Sequence, residues 1–401
     1  MRIALVFASY SPKSTYIETP LSKALARLGH DVHIVTSGLP TNYHLSNYTR
    51  DFARAFGAAT QPLGTTAVEG VTVHRLPHRI VRGHVALTGL RQYLKQLSVD
   101  VVQTGTVIAW PTMETAFYQP FLGYRLFTGA HQAAEIAFTT RGAARWFGLH
   151  RRLAILARTI PGRLVSLVTE RCYAVTEDAA DVARELYGVQ AKKIEIAPLG
   201  FDDQWFHLPA RDDLDRRATL RATLGFEDGD IVCVYTGRFD NIKQPAFLAK
   251  AIAALRAEGL PFRGLFVGGG EQADLITASD GSMVHGYVPA DELAPFYWAS
   301  DLAAWPRGYS ASQVEAIACG LPVVMTDESQ KKELDGFVVK YRQLDLRLLI
   351  DALRRLADPD ARRAISVPAA THVHAMLSWD TIAKHRTADY SSALARHAQS
   401  G

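Results

Sequence analysis

Short apolar runs alternate with helix-spaced apolar residues twice in this sequence, the second time starting afresh near residue 231. The first series opens on Ile3-Ala4-Leu5-Val6-Phe7. Leu21, Ala24, Leu25 and Leu28 follow at helical spacing, closed by Gly29, and the chain returns to Val32-His33-Ile34-Val35. Strand, helix and strand in this order imply a parallel sheet covered by helices. Further strands are predicted at Val99–Gln103, Arg125–Thr128 and Tyr173–Thr176, the last leading into a helix from Asp178 to Tyr187. The pattern stops around Pro198-Leu199-Gly200, a charged stretch runs from Arg211 to Arg221, and Ile231-Val232-Cys233-Val234-Tyr235 restarts it. Strands at Gly264–Val267 and Leu302–Trp305 come next, then a helix through Glu315 to Cys319 with Gly320 past its end, then Pro322–Met325. The expectation is an α/β chain of two doubly wound, Rossmann-like domains, 1–199 and 200–377, within a length of 401 residues that fits two or three domains.

A net charge of +4 is small for this length, which argues against a nucleic-acid partner. Cys172, Cys233 and Cys319 sit in or beside apolar runs without metal-ligand spacing, so buried thiols in a reducing compartment are expected. The first strand begins at once after Met1-Arg2, without a signal-peptide cleavage pattern, and no apolar stretch approaches the ~18 residues of a membrane span. The expectation from these features is a cytoplasmic chain.

Three clusters carry chemistry. In Tyr235-Thr236-Gly237-Arg238-Phe239-Asp240-Asn241-Ile242-Lys243, the first strand of the second domain hands over to its helix. Ligands of doubly wound sheets bind at such carboxyl ends. Gly237 lets backbone approach an anion, Arg238 can fork onto phosphate oxygens, and Lys243 adds a point charge near a helix start. A pair of solvated surface cations would look the same in isolation. In Leu265-Phe266-Val267-Gly268-Gly269-Gly270-Glu271, a strand ends in three glycines that either admit a ligand or make a plain turn. The third cluster, Trp305 to Pro322, sets a Gly/Ser loop before a helix that carries Glu315 among Val314, Ala316, Ile317 and Ala318. Backbone N–H groups there can hold hydroxyls or phosphate, and a carboxylate can accept both hydrogen bonds of a ribose diol. An apolar neighbourhood means that Glu315 needs a partner.

Together these residues resemble the GT-B glycosyltransferases, most closely the retaining group called glycosyltransferase family 4. The resemblance rests on Ile194 to Asp202 with Phe206, on Gly237-Arg238 to Lys243, on Val267 to Gly270, and on Val314 to Val324. Ser378-Trp379-Asp380 through Tyr390 is similar to the family's final helices, which implies that 378–401 returns to the first domain and that the two domains face each other across a cleft. The resemblance assigns Arg238 and Lys243 to the donor diphosphate, Glu315 to the ribose, and Gly308, Tyr309, Ser310 and Ala311 to the neighbourhood of the transferred sugar. His131, at the end of the predicted strand Leu126 to Ala130, matches the histidine that family members direct at the sugar. Without the resemblance it reads as an interfacial or core histidine, or as an i,i+4 partner for Glu135.

Two departures stand out. Arg307 occupies the position where the family usually has the first of two glutamates, and a guanidinium there can pair with an acidic sugar or a phosphate oxygen. The loop Ser9 to Thr15 is bulkier than the family's glycine pair.

The resemblance implies transfer of a sugar from a nucleotide-diphosphate donor to an acceptor hydroxyl, with retention and without a metal. The triplet Asp213-Leu214-Asp215 lies in the charged junction, away from a strand end. No cofactor beyond the donor is expected. The stretch from Arg141 to Arg158 mixes arginines with Trp146 and Phe147 and reads as a membrane-surface segment, an ordinary amphipathic surface helix or an acceptor-lid loop. Rival functions are a nucleotide-sugar 2-epimerase and a non-catalytic subunit that only binds the sugar nucleotide.

Overall fold

The computed structural model of the chain describes residues 1–14, 16–41, 43–44, 48–51, 53–81, 83–131, 149–308, 310–327 and 332–400. Two compact units emerge: Met1–Leu199 with Ile382–Gly401, and Gly200–Thr381. Each has its own apolar core.

The strands of the first unit are β1 (Arg2–Val6), β2 (Asp31–Ser37), β3 (Gly64–Val68), β4 (Val71–Leu76), β5 (His78–Val81), β6 (His84–Leu87), β7 (Val101–Thr104), β8 (Arg125–Ala130), β9 (Thr169–Ala174) and β10 (Ile194–Ile196). Among the described residues, the main sheet runs β10-β9-β8-β7-β1-β2-β4-β3, and β5 and β6 form a separate hairpin. Pairing in the main sheet is parallel except between β3 and β4. The antiparallel edge strand β3, which sequence reading missed, carries the polar, exposed Gly64-Thr65-Thr66-Ala67 and so lacks an apolar signature.

The second unit holds β11 (Ile231–Arg238), β12 (Phe262–Gly269), β13 (Ser282–His285), β14 (Leu302–Trp305), β15 (Val323–Thr326) and β16 (Val339–Tyr341), ordered β13-β12-β11-β14-β15-β16 and parallel throughout. A strand covered on both faces has no polar alternation. Val232, Cys233, Val234 and Tyr235 are accordingly all buried. Each such aliphatic or aromatic side chain contributes about 1.5–3 kcal/mol by leaving water. The charged junction Arg211–Thr223, which has no apolar stripe, is nevertheless a helix. Its arginines hold it down: Arg217 and Arg221 pair with Asp301 at 2.9 and 3.1 Å. All three cysteines are buried free thiols.

Candidate active site

In the second unit the chain reverses direction across the sheet at β11, which has β12 on one side and β14 on the other. Such a switch point opens a crevice at the carboxyl ends of its strands. Arg238 is the last residue of β11, and Pro306-Arg307-Gly308 follows β14 directly. The Trp305 indole N–H donates to the Thr236 carbonyl at 3.0 Å and ties the two strand ends together. From β16 the Tyr341 hydroxyl donates to the Pro306 carbonyl at 3.1 Å and steadies the turn.

Gly237 and Gly268 face each other in register, with φ of +140° and +145°. A Cβ on Gly268 would stand 1.9 Å from the Gly237 carbonyl oxygen, and one on Gly270 would stand 2.5 Å from that of Phe239. Close backbone approach therefore accounts for these two glycines. Gly269 differs, because nothing lies within 4 Å of the place a Cβ would take. It is paired with Arg238 across the sheet, so the backbone opposite the end of β11 is open.

The Arg238 side chain is 65% exposed and pairs with Asp240 at 3.3 Å. Asp240 also accepts the N–H groups of Ile242 and Lys243 at 3.0 and 2.8 Å, which turns the loop back on itself. Gln272 was not anticipated from the sequence. Buried, it accepts the Ala246 N–H at 3.1 Å and donates to the Asn241 side chain at 2.9 Å, joining this loop to the helix Pro245–Ala257. The result brings the Lys243 amine beside the turn after β14, 3.3 Å from the place a Cβ on Gly308 would take. Burial, and then the charge of Arg238, lower the Lys243 pKa. Two like charges on one loop repel, and a bound dianion would relieve that repulsion.

The helix Ala311–Ala318 starts at Ser310, whose hydroxyl accepts the Ser312 N–H at 3.3 Å. Gln313, fully buried, completes the capping box and donates to the Gly308 carbonyl at 3.1 Å. One turn on, Glu315 is buried at 6% exposure and accepts the Tyr297 hydroxyl at 3.3 Å. Tyr297 lies 2.9 Å from the Thr236 hydroxyl; since its own proton goes to the carboxylate, Thr236 donates to it. Burial, then the Glu315 charge, push the Tyr297 pKa well up. Glu315 is thereby linked to β11 two residues before Arg238. The sequence signal for Tyr297 was a hydroxyl within the apolar run Ala294-Pro295-Phe296-Tyr297-Trp298. Arg307 is half-buried, and its side chain makes no hydrogen bond or ion pair with a described residue. Tyr309 lies outside the described residues.

His131 belongs to the first unit, whose switch strand is β1 between β2 and β7. A Cβ on Gly129 would stand 2.6 Å from the Gly105 carbonyl oxygen and 2.8 Å from His131 Nε2, so the imidazole folds back over the end of β8, next to the loop after β7. Burial, and then the nearby Arg386, lower the His131 pKa to about 4. Arg386 is itself buried, with its guanidinium carbon 3.0 Å from the Tyr173 ring centroid. A neutral imidazole donates through one nitrogen and accepts through the other.

Asp213 accepts the Ala210 N–H at 3.0 Å at the start of the junction helix. The triplets Asp228-Gly229-Asp230 and Asp358-Pro359-Asp360 are engaged likewise: Asp230 accepts the Glu227 N–H at 2.9 Å and Asp358 that of Asp360 at 3.1 Å. Among the described residues no three His, Cys, Asp or Glu side chains are grouped to hold a metal ion. No helix of the described residues is long and apolar enough to cross a membrane.

Comparison with known proteins adds an independent line. The sequence model of Glycosyltransferase Family 4 matches residues 19–205, and that of the Glycosyl transferases group 1 matches residues 230–358. The chain belongs to the GT-B glycosyltransferases, of the family-4 type.

This family-4 chain is 33% identical over 216 residues to the D-inositol 3-phosphate glycosyltransferase of Rhodococcus erythropolis, a match covering 49% of the chain and 46% of that protein. It is 29% identical over 263 residues to that of Nocardia farcinica, covering 60% and 56%. It therefore spans about half the length of the curated relatives it matches. The fold is shared with sucrose-phosphate synthase from Thermosynechococcus elongatus, at a TM-score of 0.68 and 16% identity over 99% of this chain and 100% of that one. Anabaena HepE in complex with UDP gives a TM-score of 0.69 at 14% identity, over 98% and 100%.

Proposed function

We propose that the chain transfers a sugar from a nucleotide-diphosphate donor, bound by the second unit, to a hydroxyl of an acceptor bound by the first. The observation that carries this reading is the placement of Arg238 and Lys243 on one turn at the switch point, with the Lys243 amine against Gly308 and Glu315 wired back to the same strand. The two cations meet the diphosphate, the Gly269 backbone leaves room for it, and Glu315 accepts the ribose hydroxyls. As the bond from the anomeric carbon to the β-phosphate oxygen breaks, the cations stabilise the charge gathering on that oxygen. The acceptor oxygen bonds to the anomeric carbon from the same face and passes its proton to the departing phosphate, so the product keeps the donor's anomeric configuration and no separate base is needed. Neutral His131 serves as a hydrogen-bonding group to the sugar. Charge neutralisation by two side chains makes the reaction independent of a metal.

The curated relatives are named for D-inositol 3-phosphate, and the solved structures of HepE hold UDP or UDP-glucose. A cyclic polyol phosphate and a uridine donor are therefore the first pair to try, with a uronic-acid nucleotide added to probe Arg307. A bound ligand raises the unfolding temperature according to its concentration over Kd, so a thermal-shift screen ranks the donors. Transfer is then followed by NMR of the new anomeric centre, with and without a chelator. An inverted product rejects retention, and loss of turnover in chelator rejects metal independence. Donor turnover without acceptor favours an epimerase; binding without transfer to any acceptor favours a non-catalytic subunit.

A further inference from the structure

Two helices of the first unit, Trp110–Leu122 and Leu149–Val168, follow β7 and β8 and pack side by side. Both leave large apolar side chains in water. Phe117 and Phe121 are 70% and 65% exposed on the first; Leu156, Ile160, Leu164 and Leu167 are 49–65% exposed on the second. Positions 156, 160, 164 and 167 recur at steps of four, four and three, so they share one helix face. The opposite face is fixed by Gly162, where a Cβ would stand 1.9 Å from the Tyr187 carbonyl oxygen, and by buried Thr159, Val165 and Ser166. Rotating the helix to hide its leucines would break this contact.

Single exposed leucines are ordinary, but a stripe of four large aliphatic side chains, on a helix packed against one that exposes two phenylalanines, marks a contact surface. Its rim identifies the partner. Exposed Arg163 falls between Ile160 and Leu167 on the same side, and Lys193 caps the helix end, donating to the carbonyls of Ser166 and Leu167 at 2.6 and 3.2 Å. Exposed Lys192 is next to it. The helix Leu149–Val168 contains no acidic residue, and Trp110–Leu122 contains one, Glu114, which is partly buried. A second copy on a two-fold axis would set this basic rim against itself, and Glu170, the carboxylate whose charge reaches Lys193, is already held by Arg125 and Arg396 at 3.3 and 3.2 Å. An anionic bilayer meets both needs, taking the apolar stripe below its headgroups while lipid phosphates pair with the cations.

We infer that this face, built from Phe117, Phe121 and the stripe from Leu156 to Leu167, lays the first unit on an anionic lipid surface. The stripe overlaps the Arg141–Arg158 stretch singled out in the sequence only at Leu156, and residues 141–148 of that stretch lie outside the described residues. The inference is independent of the transfer reaction, since it would hold equally for a binding subunit.

Flotation of the full chain with vesicles of phosphatidylcholine alone, or mixed with phosphatidylglycerol, tests it. The protein is expected to float with the mixed vesicles and to be released by salt. The pair Leu164→Ser and Leu167→Ser should reduce the bound fraction about tenfold or more while leaving the unfolding temperature and nucleotide binding in place, since both positions are already in water. Arg163→Glu should weaken binding separately, with the apolar stripe intact. Equal recovery with and without anionic lipid would overturn the inference. So would a concentration-dependent dimer in solution that the same leucine substitutions abolish, because the face would then belong to a second copy.

Discussion

The Tyr297 hydroxyl donates to the Glu315 carboxylate at 3.3 Å and lies 2.9 Å from the Thr236 hydroxyl, a relay that joins a buried charge on a helix to the strand that ends in Arg238. Losing one hydrogen bond to a buried charged group costs about 1.5–3 kcal/mol. Tyr297→Phe is therefore expected to destabilise the second unit by about that amount and to weaken nucleotide binding. Calorimetry with a nucleoside diphosphate and with its dideoxyribose counterpart decides the cause. If Glu315 receives the ribose diol, Tyr297→Phe and Glu315→Gln weaken the first about tenfold and change the second little, as expected for one lost hydrogen bond of about 1.4 kcal/mol. An equal loss for both ligands would remove Glu315 from the ribose.

Arg238→Ala and Lys243→Ala should each reduce kcat/KM by about two orders of magnitude, the roughly 3 kcal/mol of one lost oxyanion donor. They should not act alike on each other. Arg238 is the second cause, after burial, of the lowered Lys243 pKa, so the two charges are coupled. Steady-state kinetics on both single variants and the double variant measure this coupling. Near-normal turnover in both single variants would defeat the phosphate assignment.

The glycines make a prediction about stability. Gly268→Ala places a methyl 1.9 Å from a backbone oxygen at a φ of +145°, so denaturant unfolding should show a loss of about 3 kcal/mol or more. At Gly269 the same methyl meets open space, and stability should stay within about 0.5 kcal/mol. A fall in donor affinity for Gly269→Ala at unchanged stability would identify this opening as the donor's. Unchanged affinity would mean that the donor's diphosphate lies elsewhere.

His131 carries a pH dependence. Its folded pKa of about 4 lies below the unfolded value of 6.5, so between these limits the unfolded chain binds the extra proton and stability falls as pH drops. His74, lowered to about 4 by burial and the neighbouring His33, adds to the same slope. Glu18 opposes it, since burial raises its carboxyl to about 7 and stability is lost as pH rises from 4.5 toward that value. His131→Phe should therefore flatten the slope of unfolding free energy near pH 5 by up to about 1.4 kcal/mol per pH unit, one proton's worth. Arg386→Met should raise the His131 pKa in an NMR titration, because the second cause of its depression is gone. An unmoved imidazole would show that burial alone holds it neutral.

Much of the architecture is written in local pattern. Strands buried on both faces read as unbroken apolar runs, and for that reason Ile3–Phe7 and Ile231–Tyr235 mark two doubly wound sheets in the sequence itself. Gly237, Arg238, Lys243 and Glu315 stood out because charge or glycine at a strand end or inside an apolar helix is costly without a reason. What local pattern could not decide was contact between distant segments. That Gly268 answers Gly237 while Gly269 opens onto space, that Gln272 and Gln313 hold the two loops, and that Tyr297 reaches Glu315 all depend on strand register and on the order β12-β11-β14, in which residues far apart in sequence become neighbours. The same is true of Arg386: it is one of two arginines on the helix Trp379–Ser400, and only the packing of that helix over Tyr173 makes it the charge that adds to burial in lowering the His131 pKa.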